Sequence, residues 1–423
     1  MKSDFEKLYD YQKTLKYLNK REICYDASYS FDFNPHQYEE YMKFKEKKMK
    51  NREEPDLVSL PILSFNSPFV YYSRCFDLKN ALAFYLEANH LLLSTLSLSL
   101  PEDLNQNSEV LRSLVFSEVE GSLNIENVPT TRKKVKELFD SERKPENRNE
   151  QIIRNMSLGI DFILKKPDFN KDNLRKLYTI LSDECLEKED TLKEGQYYRE
   201  DEVEVDHYLG CPHSELEKTM NSLFDYVREC LDKKRNLILL PHLVHYALVY
   251  YHPYFDYNGR TARMVSFWIS LLENSTFVPL FSEAINQDKN RYYLALEETR
   301  NNHNDLTYFL LYLLNTSTRY CYLYIDIENL VQKEKNQSLA PLSSTEQSYL
   351  RKILMKAKGK FSYSDFLNFA GLDITKQGAL KILNRFTSLK ILKSTIFSKT
   401  KFFEVNKSLF PYTFQGKKVK IGK

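Results

Sequence analysis

The chain has 423 residues, 42% hydrophobic and 28% charged, with 10 glycines and 14 prolines against 30 tyrosines and 27 phenylalanines. Those values exclude a wholly disordered chain and a turn-rich sandwich or barrel, and they favour long helices in two or three domains. The net charge of +3 is uneven: residues 341–423 hold 17 basic and 4 acidic side chains, so a basic module of the kind that binds DNA or another polyanion is joined to an acidic body.

In chain order, residues 1–74 are charged and aromatic, with one expected helix from about Gln37 to Arg52. An apolar helical stretch runs from Leu78 to Leu100 and stops at Pro101. A second helix is expected from about Ser108 to Asn127, followed by others over Arg148–Lys165 and Asn170–Glu187. The alternation of Tyr, Val and Glu between Leu192 and Gly210 reads as a short hairpin. Ser214–Lys234 is amphipathic, whereas the stretch after Pro241 is apolar nearly all round and reads as a buried central helix. Further helices are expected over Thr261–Glu273, Lys289–Asn301 and Leu306–Tyr324, then a polar linker up to Pro341. The tail reads as three helices and a hairpin, the order of a winged helix-turn-helix. No stretch reaches 18 apolar residues and the N-terminus lacks the apolar core of a signal peptide, so a reduced, cytoplasmic chain without a membrane partner is expected.

The segment from His252 to Arg263 carries the chemistry. It joins two helices through a short polar loop that offers a base, His252, a carboxylate, Asp256, and two arginines, Arg260 and Arg263. A helix N-terminus presents free N–H groups and partial positive charge, and arginines on its first turn add bidentate donors for the same anion. A carboxylate beside a phosphate is the usual way to hold Mg²⁺, and His252 could take a proton from a nucleophile. Phosphoryl or nucleotidyl transfer is the chemistry these residues fit.

The same segment resembles the signature of the Fic (filamentation induced by cAMP) family, H-P-F-x-[DE]-G-N-G-R-x-x-R. His252, Pro253, Asp256, Asn258, Gly259, Arg260 and Arg263 match in register. Ser122 and Glu126 look like the family's inhibitory motif, the stretch from Gly195 to Val203, including Tyr198 and Arg199, looks like its target flap, and Tyr292 and Tyr293 resemble the tyrosines of its base pocket.

The resemblance implies a mainly α fold: a Fic-type helical bundle with a small β-hairpin flap over residues 75–330, its inhibitory helix at about 108–127, and the basic winged helix over 341–423. It implies AMP transfer from ATP, with Mg²⁺ on Asp256, to a Ser, Thr or Tyr hydroxyl of a target protein, His252 acting as base. Tyr257, Asn258, Gly259, Arg260, Thr261 and Arg263 would form the nucleotide turn together with Tyr292 and Tyr293. Homodimers are frequent in the family. Ser122 and Glu126, four apart on a helix, share one face; a bidentate Glu126–Arg263 pair would occupy the donors the γ-phosphate needs. Tyr257 replaces the pattern's glycine, and a side chain there strains an anion-binding turn that uses positive φ. Two other readings are a nucleotide-sensing, DNA-binding regulator and transfer of another group such as UMP.

Overall fold

The computed structural model describes residues 3–25, 31, 33–51, 55–96, 109–141, 143–205, 208–272, 281–336, 342–370, 374–398 and 400–415. The fold is mainly helical. The N-terminal part contains α1 (Asp4–Thr14), α2 (Lys20–Tyr25), α3 (Tyr38–Lys50) and an antiparallel pair, β1 (Leu57–Leu60) with β2 (Val70–Ser73). Then come α4 (Phe76–Leu96), α5 (Glu109–Ile125), α6 (Arg132–Asp140), α7 (Arg148–Leu164) and α8 (Lys171–Ser182). Asparagine side chains start the last two: Asn147 accepts the Glu150 N–H and Asn170 the Asn173 N–H.

A two-stranded hairpin, β3 (Glu204–Val205) and β4 (Tyr208–Leu209), precedes α9 (His213–Asp232), α10 (Leu240–Tyr251) and α11 (Asn258–Leu272). Pro241 opens α10, where its missing N–H costs nothing. Apart from Val249, every residue of α10 is buried. It is the axis of the largest hydrophobic cluster, which α5, α7, α8, α9 and α11 enclose. Ser266 on α11 donates to the Pro241 carbonyl at 3.0 Å, so α11 runs back along α10 and its first turn faces the end of that helix.

After α12 (Phe281–Asn286) and α13 (Lys289–Asn301), α14 extends from Thr307 to Asn336. The polar segment expected to be a linker therefore begins as the last turns of this helix; residues 337–341 lie outside the described residues. The C-terminal part contains α15 (Ser344–Lys356), β5 (Phe361–Ser362), α16 (Tyr363–Ala370), α17 (Lys376–Ser388), β6 (Leu392–Phe397), β7 (Thr400–Val405) and α18 (Pro411–Gln415), with strand order β5-β7-β6. Its core is not closed on itself: Leu350, Phe386 and Phe403 share one cluster with Leu92 of α4 and with Tyr320 and Ile325 of α14. Asp326 on α14 also accepts the Tyr412 and Thr413 N–H groups of α18 at 3.2 and 2.6 Å. No helix among the described residues is long and apolar enough to cross a membrane.

The N-terminal segment has its own aromatic cluster around Tyr41 and Tyr71, seated on the turn before α14 by one buried ion pair. Lys45 Nζ lies 2.7 Å from Asp305 Oδ2, with both side chains almost fully buried. Removing one partner of such a pair leaves an uncompensated buried charge. Lys45→Ala should therefore cost about 3–5 kcal/mol in urea unfolding; a loss below about 1 kcal/mol would show that the segment is not anchored there.

Candidate functional site

The loop between α10 and α11 is held in an unusual backbone path. His252 ends α10 in the left-handed region at φ 53°, while its N–H still bonds the Leu248 carbonyl at 3.0 Å. Tyr254 is fully buried and stacks on Tyr178, with ring centroids 3.6 Å apart. Asn258 pins the turn by accepting the Tyr254 N–H at 3.0 Å and donating to its carbonyl at 2.7 Å.

Tyr257 retains the backbone a glycine would have, at φ 67°. That conformation costs a non-glycine residue about 1–3 kcal/mol. The loss is offset locally. The Tyr257 N–H donates to Asp256 Oδ1 at 2.5 Å, and the buried ring lies 3.5 Å from the Arg260 guanidinium carbon. The hydroxyl lies beside the thiol of Cys185, a residue remote in sequence. The side chain thus points away from the turn into the core, and the turn keeps its shape.

Tyr198 and Arg199 do not lie on the hairpin that β3 and β4 form, and neither is available to a target: both are buried. Arg199 instead clamps the loop. Its Nε donates to the His252 carbonyl at 2.8 Å and its backbone N–H to the Pro253 carbonyl at 3.0 Å, while its terminal nitrogens reach the Asp201 and Cys211 carbonyls. Gly210 then brings the returning strand against the histidine, since a Cβ there would lie 3.3 Å from His252 Cβ. Leu209, beside it, is exposed. The flap's sequence pattern marked its neighbourhood; the anchoring role of Arg199 depends on carbonyls distant in sequence.

The first turn of α11 has donors to spare. Arg260 Nε and Thr261 Oγ1 are buried without a hydrogen-bond partner among the described residues. A terminal nitrogen of Arg260 lies 3.6 Å from Asp256 Oδ1. Arg263 is occupied from α5: its Nη2 donates to Glu126 Oε1 at 2.6 Å and to the Ser122 carbonyl at 3.2 Å, and its Nε donates to Ser122 Oγ at 2.9 Å. The pair is not the bidentate carboxylate grip expected from sequence. Ser122 and Glu126 share the guanidinium because one helical turn separates them along the same face. Glu126 also covers the turn itself, with Oε1 only 2.5 Å from where a Gly259 Cβ would stand. Any side chain at 259 would exclude that carboxylate.

Charge states follow from these contacts. Burial favours the neutral Glu126 carboxyl, yet Arg263, Arg260 and Lys289 outweigh burial and hold its pKa below the usual carboxylate range. Burial lowers His252 to about 4, with the charge of Arg199 acting in the same direction. The imidazole is therefore neutral near pH 7 and able to accept a proton. Tyr292 is buried and bonds His245 Nε2 at 2.8 Å, whereas Tyr293 is exposed beside it, their ring centroids 5.3 Å apart. Of the two, Tyr293 is the ring open to a ligand. Among the described residues no three His, Cys, Asp or Glu side chains gather as a metal cage. Asp256, half exposed, can supply one oxygen to a cation that a bound phosphate also ligates.

A profile of the Fic/DOC family matches residues 168–270, the stretch from α8 through α11. It spans His252, Asp256, the anion turn, Tyr198 and Arg199, and excludes Ser122, Glu126, Tyr292 and Tyr293. Over 175 residues the chain is 30% identical to "Protein adenylyltransferase Fic" of Nematostella vectensis, an alignment covering 40% of this chain and 39% of that protein. A Fic family protein from Desulfovibrio desulfuricans G20 superposes with a TM-score of 0.48 at 17% identity, covering 81% of this chain and 98% of the other. Fic-1 of C. elegans gives a TM-score of 0.45 at 18% identity, covering 62% and 72%.

The depressed His252 value has a direct check. Between its folded value near 4 and the ordinary imidazole value of about 6.5, the unfolded chain binds more protons, so this group adds stability as pH rises through that window. An NMR titration of the His252 ring should show a midpoint near 4, and a midpoint near 6.5 would mean an open, solvated imidazole. Residues 168–270, the segment that builds the loop and the helix after it, therefore form a Fic/DOC-type segment, and a relative described as a protein adenylyltransferase aligns with the chain at 30% identity.

Proposed function

We propose that the chain transfers AMP from ATP to a hydroxyl side chain of a target protein, and that Glu126 holds this activity in check. The observation that carries the reading is the position of one carboxylate. Glu126 bonds Arg263 while lying against Gly259, at the helix N-terminus where two buried donors, Arg260 Nε and Thr261 Oγ1, have no hydrogen-bond partner among the described residues. A helix N-terminus with free donors and arginines on its first turn suits the phosphates of a nucleotide. Identity to an adenylyltransferase at 30% supports the same chemistry, although the chain spans only 39% of that protein's length.

In this mechanism the target hydroxyl oxygen attacks the α-phosphorus and His252, neutral at physiological pH, takes its proton. The bond from the α-phosphorus to the bridging oxygen breaks, and pyrophosphate leaves with the bonding electrons. Arg260, Thr261 and the α11 N–H groups offset the charge that builds on the phosphates, the dominant contribution in this class of chemistry. Asp256 would hold Mg²⁺, which when bound supplies further charge neutralisation at the phosphates. The tyrosine at 257 leaves the turn available, because its ring is spent on packing under Arg260. With Arg263 engaged by Ser122 and Glu126, the terminal phosphate of ATP loses a partner, and the nucleotide is held out of line for attack.

A second reading rests on the C-terminal part. Its three helices and β-hairpin follow a winged helix-turn-helix order, and α17 exposes Lys376, Gln377, Lys381 and Asn384. A polyanion such as DNA fits that surface, and the nucleotide site would then act as a sensor.

Label from α-labelled ATP separates the two. Replacing Glu126 by Gly should raise incorporation at least about tenfold, and adding His252→Ala should remove it. Unlabelled Glu126→Gly protein across targets, metals and nucleotides would defeat the transferase reading. In that case, salt-dependent binding of DNA by the full chain, shifted by ATP, is the outcome the sensor predicts.

A further inference from the structure

The helix that carries Ser122 and Glu126 is gripped on an adjoining face by a buried polar joint that reaches into the C-terminal part. On α5, both oxygens of Glu118 accept the Ser282 N–H, at 2.8 and 3.0 Å. Gly121 packs directly on the same backbone: a Cβ at 121 would stand 2.4 Å from the Glu283 nitrogen. The Glu283 side chain continues the chain of contacts. Its Oε2 accepts the Tyr324 hydroxyl of α14 at 2.7 Å, and that hydroxyl lies 3.2 Å from Ser117 Oγ, back on α5. Its Oε1 accepts Arg351 Nε of α15 at 3.1 Å, and the Arg351 guanidinium lies over the Tyr324 ring. Ser117, Glu118, Glu283 and Arg351 are all buried.

Two physical points give the joint its weight. Two carboxylates, Glu118 and Glu283, are buried on neighbouring positions, and burial with the charge of Glu283 pushes Glu118 up to about 7 despite its bonds to Ser282. Arg351 is the cation that pairs with Glu283 here, so the arginine of one module neutralises a carboxylate on which the other module's helix is seated. Beside the joint, a cleft of about 520 Å³ separates α5 and α6 from α15, lined by Glu120, Asn124, Lys134, Lys352 and Lys356. Beside that cleft, Glu283 and Tyr324 link α15 to α5 by polar contacts, next to the apolar cluster that Leu114 of α5 shares with Leu350 and Ile353 of α15.

We propose that Arg351 is a positioning residue for the inhibitory contact: through Glu283 and Tyr324 it fixes α5 in the register that sets Glu126 on Arg263. The seating of the C-terminal module then controls how firmly the anion turn is closed. The proposal rests on the reading of Glu126 as an inhibitor, and its test has one arm independent of that reading. Without Arg351, Glu283 is a buried charge lacking its partner, and the seat of α5 loosens by local opening.

The experiment compares the full chain with Arg351→Ala, Arg351→Lys and Glu283→Gln by amide hydrogen exchange and by label incorporation from α-labelled ATP. Exchange over residues 117–126 should rise about tenfold in Arg351→Ala, less in Arg351→Lys, while α10 and α11 stay protected. Incorporation by Arg351→Ala should rise at least about fivefold over wild type, yet by less than about twofold when added to Glu126→Gly, because the two changes release one contact. Unchanged exchange over 117–126 in Arg351→Ala and Glu283→Gln overturns the proposal. So does faster exchange with unaltered incorporation, or an increase that adds in full to that of Glu126→Gly. If no variant incorporates label, Glu126→Gly included, the transferase reading is what has failed, and exchange alone decides whether Arg351 positions α5. If Arg351→Ala does not fold, Glu283→Gln, which keeps an acceptor for the arginine and removes the charge, carries the same two measurements.

Discussion

The buried Arg263 guanidinium is the group that the rest of the site is arranged around. It is almost fully removed from water, on the second turn of α11, close to a helix end that the dipole already makes positive. Burial disfavours its charge, and the Glu126 carboxylate more than compensates, so the arginine stays fully ionised. A cation in such a place requires an anion. Ser122 and Glu126 supply the acceptors from the neighbouring α5 segment; in the proposed function they stand where a nucleotide phosphate would otherwise be held.

The catalytic loop illustrates how a strained path is kept in place. His252 and Tyr257 both have left-handed backbones, at φ 53° and 67°. Histidine is one of the residues found there more often than most, but a bulky tyrosine is not. What holds them is over-determination: Arg199 ties the His252 and Pro253 carbonyls to the segment before the hairpin, Asn258 closes the turn at Tyr254, and Tyr254 is wedged against Tyr178. The strain falls on His252 and Tyr257, the residues to which the proposed function assigns the base and the start of the nucleotide turn. Packing on α10, buried on almost every side, supplies the rigidity.

Much of this was legible in the amino-acid sequence because the chemistry depends on residue types at fixed short spacing. A histidine ending an apolar helix, an Asn-Gly pair and two arginines three apart form the pattern from which an anion site is expected. The helices over 148–164, 213–232 and 289–301 were readable from periodicity and caps, within a residue or two at each end. Other features were hidden for physical reasons. The fate of the Tyr257 side chain turned on Arg260 and Cys185, the second remote in sequence. Arg199 looked like a flap residue, yet its partners are backbone carbonyls at 201, 211 and 252, which carry no side-chain signature. Glu118, Glu283 and Arg351 carry no short-range sequence pattern that links them; only tertiary packing buries them together. The polar run from Gln332 has the composition of a linker, but α14 continues into it as far as Asn336, after Ile325, Ile327, Leu330 and Val331 have packed against the C-terminal core.

In the proposed function Glu126 and a terminal phosphate compete for Arg263, and nucleotide affinity reads that competition without requiring turnover. The decisive measurement is calorimetric binding of ADP and of a non-cleavable ATP analogue, with Mg²⁺, to wild-type and Glu126→Gly protein. The account predicts that Glu126→Gly strengthens binding of the ATP analogue at least about tenfold, the scale of one charge-assisted contact, and changes ADP binding by less than about threefold. Equal strengthening of both nucleotides, or no change for either, would contradict the claim that Glu126 stands in for the γ-phosphate on Arg263.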